Sequence, residues 1–600
     1  MYNKAMETSF RRMMAGILLA AMVVTSPVIT RAEGQKTYDV EKGQLGVVNF
    51  HPKWGDKKAN VDKMKRLIDR AHNKGTKLLV FPELCVTGYA SSDSKNSKAY
   101  KMVVKAAETK KGKTAREIAK ISDKYDMWIV YGASEKIEGN KKQAYNSAFV
   151  CDPEGKVSSY RKISPVEGAW CKPGKKPLII DTKEFGKFGL SICHDTYCVP
   201  EIARYYAAKG CSMLLNPTAE SGSDREFQYY YENSLKNAAA RDDVTVLSSN
   251  LVGVDGPYKD YEFPGGSLIL QSSEEGTTFY AGAKNNGVVT HGRRIKLHKE
   301  GICVNEVPFT MRESSVNRGT EFHGKVYQKW YHELAVKGNN DHFNASGKKM
   351  KLATVSLSGE DMSDKEAQNK LTEYVKKAVN KKMDMVVFPE MLLDEGTSLD
   401  DDFFKELQKI ARKHQIYIVF GILEKGQNGT YNTAVVIKDN GKLLHYRKMH
   451  RNTSELAMVQ CGQKPLIVKT KWGRCGISIG DESEKAKELM RYYGAKGCYY
   501  IVNIAKENKQ TLAKILHSSE VPNCDGLTLI SCSSKKENSM VLGSSGFYNK
   551  KTDSYLKFFG TGPERKQSPV FQTAKVSFSG SGFSVINYYP EVFSKMYGEI

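Results

Sequence analysis

Short apolar runs and amphipathic stretches alternate along this chain. Gly46 to Phe50 is apolar with β-branched residues and reads as a strand, Ala59 to Asn73 carries apolar positions at helical spacing, and Leu78 to Phe81 reads as a buried strand. Further on, Pro200 opens a helix over Glu201 to Lys209, and Met213 to Leu215 reads as the next buried strand. Strand, helix, strand in this order predicts an α/β domain with helices packed on sheet.

The plan occurs twice. Leu78-Leu79-Val80-Phe81-Pro82-Glu83 returns as Met385-Val386-Val387-Phe388-Pro389-Glu390, Tyr145-Asn146-Ser147-Ala148 as Tyr431-Asn432-Thr433-Ala434, and Tyr160-Arg161-Lys162 as Tyr446-Arg447-Lys448. Arg204-Tyr205-Tyr206 through Lys209-Gly210-Cys211 recurs as Arg491-Tyr492-Tyr493 through Lys496-Gly497-Cys498. Similarity at so long a period means a duplicated domain rather than a solenoid, and 600 residues exceed the roughly 250 to 300 that one core holds. The expected organisation is a first unit over 42–316, a linker over 317–349 and a second unit over 350–600. The linker is rich in Gly, Asn, His and Lys, but its aromatic cluster from Tyr327 to Tyr331 is expected to pack on a domain.

Residues 1–32 read as an export signal. Arg11 and Arg12 precede the apolar run Met13 to Val24, which leads to Thr30-Arg31-Ala32, with cleavage expected after Ala32. The run is shorter than the roughly 20 apolar residues that span a bilayer. An uncleaved anchor is the alternative, and either way the protein is expected to be secreted or extracytoplasmic.

A net charge of +24 raises nucleic acid, an anionic membrane or an acidic wall polymer as partners, yet the lysines are spread along the chain with no basic block interleaved with aromatics. A solvated basic surface is the reading, with weak contact to an anionic cell envelope and no nucleic-acid partner. All 12 cysteines lie beyond the signal, but in so long a chain they are not disulfide-dense, and no CxxC pair marks zinc.

Three residues stand at strand ends. Glu83 follows a buried strand through a proline, which places its carboxylate at the carboxyl edge of a sheet, where α/β folds host ligands. Lys162 ends Tyr160-Arg161-Lys162, and Cys193 ends Gly189-Leu190-Ser191-Ile192 ahead of His194-Asp195. Singly, such residues are more often a loop start, a solvated lysine and a packing thiol. Together, a carboxylate and an ammonium supply what a thiol needs to attack a carbonyl.

In combination and in this order, Phe-Pro-Glu, Tyr-Arg-Lys and Cys-x-Asp resemble the three motifs of the nitrilase superfamily. The resemblance covers about Gln44 to Val304 and extends to Gly88-Tyr89, Pro173-Gly174, Pro200-Glu201 and Asn216-Pro217. It implies two four-layer α-β-β-α sandwich domains in tandem, no cofactor, no metal, and a catalytic group of Glu83, Lys162 and Cys193, with Glu167 as the second glutamate that positions substrate. By the same resemblance Glu83 takes the proton of Cys193, the sulfur attacks an amide or nitrile carbon, and Lys162 with the backbone N–H of His194 holds the oxyanion of a covalent acyl-enzyme. The substrate expected is a small amide, ureido compound or nitrile. Many members carry arginine soon after the cysteine to bind a substrate carboxylate. Here Thr196 and Tyr197 follow, which puts recognition of an acidic substrate by that route in doubt.

The second copy keeps Glu390, Lys448 and Glu455, but Gly480 stands where the first has Cys193, and Asp481 and Glu482 replace His194 and Asp195. Glycine forms no acyl-enzyme, so this half is expected to be inert, and Cys475, an odd number of steps away along a strand, points to the other face. The resemblance also suggests that the two domains pair within one chain. Competing functions are acyl transfer to an amine in place of water, and a non-catalytic binding protein.

Overall fold

Adjacent residues of the central strands point into two different cores, which is why these runs read as continuously apolar. A computed structural model describes residues 36–221, 233–254, 256, 262–273, 276–281, 298–314, 321–337, 349–359, 362–506, 527–534, 539–549, 554–558, 570–577 and 588–600. In the strand Leu78–Val80, Leu78 and Val80 join a cluster that includes Phe188, Leu190 and Leu215 of another sheet, whereas Leu79 joins Met64, Leu67 and Ile118 of helices. Each strand is thus covered on both faces, as parallel sheets require.

In the first copy one sheet runs, in spatial order, Gly301–Val304, Leu45–Asn49, Leu78–Val80, Trp128–Lys136, Ala144–Cys151 and Val157–Arg161. The other runs Gly276–Ala281, Leu268–Ser273, Thr245–Asn250, Cys211–Thr218, Gly186–Leu190 and Ile179–Thr182. The sheets meet face to face, and Ser249 ties them: its hydroxyl accepts from Val48 N at 3.1 Å and donates to Val80 O at 2.6 Å. Helices Lys57–His72 and Lys113–Tyr125 cover the first sheet, Pro200–Ala208 and Asn233–Asp242 the second, giving four layers, α-β-β-α. The first helix starts two residues earlier than its apolar spacing suggests, because the Asp56 side chain accepts from Ala59 N at 3.1 Å and caps it.

The second copy repeats this architecture. Its sheets run Leu443–Arg447, Gly429–Ile437, Tyr417–Gly426, Met385–Val387, Lys349–Val355 and Phe571–Ser577, with Leu393–Thr397 beside Tyr417–Gly426, and Ile467–Thr470, Gly473–Ile479, Cys498–Ala505, Thr528–Ser533, Met540–Asn549 and Ser554–Phe558. The chain is therefore two α/β sandwich domains in tandem.

Two boundaries differ from the sequence reading. Residues ahead of 42 join the first unit, since Thr37–Val40 pairs antiparallel with Phe309–Arg312. The stretch 317–349 is not all connection: it contains the helix Gly324–Lys337, which packs on the C-terminal helix Pro590–Gly598. Tyr327, Trp330 and Tyr331 supply its apolar face and are buried. The expected signal, 1–32, lies outside the described residues. All eleven cysteines among the described residues are free thiols, and among those residues no helix is long and apolar enough to cross a membrane.

Candidate active site

Glu83 stands just beyond Leu78–Val80, on a turn that only a close backbone approach permits. A Cβ on Gly132 would fall 2.5 Å from the Glu83 Cα, so the neighbouring strand must carry glycine there, and Leu84 takes the left-handed conformation at φ 48°. The turn leaves the Glu83 carboxylate wholly buried. Its Oε1 accepts from the Lys162 ammonium at 2.7 Å and from Asn146 Nδ2 at 2.6 Å, while its Oε2 has no hydrogen-bond partner. Lys162 also bonds Glu167, and all three side chains are at 0% exposure.

Cys193 arrives from the second sheet. Gly186–Leu190 ends three residues before it, Cys193 N donates to Pro217 O at 3.1 Å, and the residue takes φ 47°, ψ −111° before the four-residue helix His194–Tyr197. Such a conformation costs a non-glycine residue roughly 1–3 kcal/mol and persists only where the surroundings impose it. As first residue of the helix, His194 has an N–H with no intrahelical acceptor. Its ring nitrogen Nδ1 lies 3.2 Å from Ser164 O.

Electrostatics separate the groups into roles. Burial pushes Glu83 up to about 7 against the pull of Lys162, and the neighbouring Glu167 adds to the rise. Burial also opposes the charge of Glu167, but Lys162 outweighs it and holds that carboxyl below its ordinary value. The Cys193 thiol is pushed well above its ordinary value, first by burial and then by Glu83. The site therefore holds a fixed Lys162–Glu167 ion pair, a neutral thiol, and a carboxylate able to exchange a proton near neutrality. Such a group can deprotonate a thiol in step with its attack and stabilise negative charge with Lys162.

The sequence-predicted Glu83, Lys162, Glu167, Cys193 and His194 thus come together. Asp195 faces away from them: it accepts from Tyr160 Oη at 2.6 Å, Ile163 N at 3.0 Å and Ser164 N at 2.7 Å, so it shapes the loop after Lys162. Two members were missed. Asn146 holds the Glu83 carboxylate, and its signal was present in the repeated Tyr-Asn pair. Glu220, which burial pushes up to about 8 with the Cys198 and Glu83 charges adding, lies on no motif singled out.

The second copy repeats the frame with a different centre. Asn432 Nδ2 donates to Glu390 Oε2 at 2.8 Å, and Glu482, in place of Asp195, accepts from Tyr446 Oη at 2.8 Å, Met449 N at 3.0 Å and His450 N at 3.1 Å. Lys448, however, pairs with Glu455 at 2.7 Å and with Asp481 at 3.0 Å, and Lys506 N donates to Glu390 Oε1 at 2.6 Å. Both oxygens of Glu390 are engaged. Among the described residues one set of possible metal ligands gathers, Glu321, His323 and Cys461, but Arg451 holds that carboxylate at 2.5 Å while His323 Nε2 and Cys461 Sγ lie 2.8 and 3.0 Å from Met449 O.

Comparison with known proteins accounts for the duplicated frame. A probable nitrilase of Schizosaccharomyces pombe is 28% identical over 219 residues, covering 36% of this chain and 76% of its own. A nitrilase of Pyrococcus abyssi is 28% identical over 234 residues, 39% of this chain and 82% of its own. The chloroplastic omega-amidase of Arabidopsis thaliana is 27% identical over 229 residues, 36% of this chain and 56% of its own. The carbon-nitrogen hydrolase family model matches residues 44–284 and again 351–523. The chain is thus an enzyme of the carbon-nitrogen hydrolase family, nitrilase superfamily, built from two copies of the family's domain.

Proposed function

We propose that the first copy hydrolyses a non-peptide carbon–nitrogen bond of a small amide, ureido compound or nitrile through a thioester on Cys193, and that the second copy does not turn over substrate. For an amide, Glu83 takes the thiol proton as the sulfur bonds to the carbonyl carbon, and the oxyanion is held by Lys162 and by the N–H of His194. Collapse of the tetrahedral adduct breaks the C–N bond, and ammonia or an amine leaves with the proton from Glu83. Water, deprotonated by Glu83, then adds to the thioester and releases the acid, returning the proton to Cys193.

The observation that carries this reading is the unpartnered Oε2 of Glu83. A fully buried carboxylate oxygen without a partner costs roughly 1–3 kcal/mol, and a thiol or water proton offered there is the partner the mechanism supplies. The engaged oxygens of Glu390 and the glycine at 480 support an inert second copy. Export is proposed on Arg11, Arg12 and the run Met13 to Val24, and is tested by the N-terminal residue of the protein recovered outside the cytoplasm.

The test of function is ammonia release over a panel of amides, ureido compounds and nitriles, with Cys193→Ala as control and iodoacetamide labelling mapped by mass spectrometry. Turnover lost in the variant, with Cys193 labelled fastest, is the expected result. Equal labelling of all cysteines, or turnover retained by Cys193→Ala, overturns it. Product amidated by an added amine would instead mark acyl transfer.

A further inference from the structure

The segment that carries Cys193 cannot hold itself in place. A four-residue helix, His194–Tyr197, has almost no stability of its own, and the conformation of Cys193 needs external support. Part of that support comes from the first copy, where Asp195 accepts from Ile163 N and Ser164 N and Cys193 N donates to Pro217 O, and part arrives from the second copy. Arg491, at 0% exposure on the helix Lys487–Ala495, donates through Nη2 to the carbonyl of Cys198, the residue that ends the short helix, and through Nε to Glu201 Oε1 at 3.1 Å. Tyr588 Oη fixes the same Glu201 oxygen at 2.9 Å, and the Arg491 guanidinium lies 5.0 Å from the centre of the Tyr588 ring.

The arrangement is reciprocal. Arg204 Nη2 donates to Lys485 O at 2.6 Å, at the end of the short helix Glu482–Lys485, and Arg204 Nε lies 3.4 Å from Glu488 Oε1. Positions 198, 201 and 204 stand to 485, 488 and 491 at one constant offset, so the two copies meet across an approximate twofold axis, each arginine holding the other's short helix. Only one of those helices follows a cysteine.

We propose that Arg491, supplied by the second copy, is a positioning residue for Cys193, so that the copy without a thiol is a working part of the first copy's site. This rests on the reading of Cys193 as nucleophile. It requires that Arg491 act through the backbone of Cys198 and the carboxylate of Glu201, altering where the sulfur sits rather than contacting substrate.

The reciprocal pair provides its own control. Arg491→Gln and Arg204→Gln, made in the full chain, each remove contacts across one interface, and Arg204→Gln also removes an ion pair to Asp242 at 3.4 Å within the first copy, so its melting temperature is expected to fall at least as far. Arg491→Gln is expected to slow iodoacetamide labelling of Cys193 and kcat on the order of 10- to 100-fold with KM changing far less. Arg204→Gln is expected to leave both within about twofold, and Arg491→Lys, which keeps one donor, to recover part of the loss. Equal losses in the two glutamine variants, following their melting temperatures, overturn the proposal, as does wild-type labelling in Arg491→Gln. Should Arg491→Gln not fold, the same comparison between Arg491→Lys and Arg204→Lys decides it, equal Cys193 labelling rates overturning the proposal. Because labelling is read at Cys193 directly, it reports positioning separately from turnover, and turnover retained by Cys193→Ala marks failure of the underlying reading instead.

Discussion

Gly480 faces the ammonium of Lys448 so closely that a Cβ built on it would stand 3.0 Å from Nζ, and 3.1 Å from Glu390 Oε1. A side chain there would press on the ends of Lys448 and Glu390, which must give by a few tenths of an ångström to admit it. Restoring the sulfur is expected not to restore the chemistry. Gly480→Cys in a Cys193→Ala background should release no ammonia, because Asp481 competes for Lys448 and Lys506 N occupies the Glu390 oxygen nearest the new side chain. The added residue also sits at φ 61°, costing roughly 1–3 kcal/mol, so its melting temperature should fall. Turnover by this double variant would show that the second site is open and primed.

Glu83 is costly to the fold in its working form. Its carboxyl is raised from an ordinary 4.5 to about 7 by burial, so the folded state favours the protonated group, and stability present below pH 4.5 is lost as pH rises through about 7. At about 1.36 kcal/mol per pH unit the interval caps the effect at roughly 3 kcal/mol. Glu83→Gln, permanently neutral, is expected to lose turnover and yet melt higher than wild type at pH 8, with the difference shrinking toward pH 5. Urea denaturation at both pH values checks it, and a variant destabilised equally at both refutes it.

Asp195 is expected to behave as structure. Replaced by alanine, it leaves Ile163 N and Ser164 N buried without acceptors, at roughly 1–3 kcal/mol each. Asp195→Asn keeps an acceptor and should lose less, and Tyr160→Phe should lose only about 1 kcal/mol. Urea midpoints in that order support the assignment. Folding unaffected by Asp195→Ala, with activity abolished, would make Asp195 a reacting group.

What could be read from the sequence follows from what a local pattern encodes. Glu83 and Cys193 each close a short apolar run and Lys162 follows the end of a strand, and strand ends converge at a sheet edge, so motif order was enough to bring them together. Asn146 stood in a repeated motif but at a strand interior, where no pattern says that its amide reaches Glu83. Arg491 was visible only as part of a duplicated block. Its contact with Cys198 depends on how two domains meet, which no periodicity encodes. The stretch 317–349 read as linker because Gly, Asn, His and Lys dominate it. Tyr327, Trp330 and Tyr331, at helical spacing, were the signal for Gly324–Lys337.

Glu167 is expected to set the pH at which the site works. Its negative charge is one of the causes that raise Glu83, and it shares the ammonium of Lys162. Glu167→Gln removes that repulsion and leaves Lys162 to Glu83 alone, and both changes favour the Glu83 carboxylate. The acid limb of kcat/KM, which rises as Glu83 loses its proton near pH 7 in the wild type, should therefore move to lower pH. A weaker base accepts the thiol proton less readily, so the plateau should also drop. A pH–rate profile from about 5 to 9 measures both. A limb that stays in place while the plateau falls would mean that Glu167 acts on the substrate and not on Glu83, and a limb moving to higher pH would contradict the charge arrangement assigned to the site.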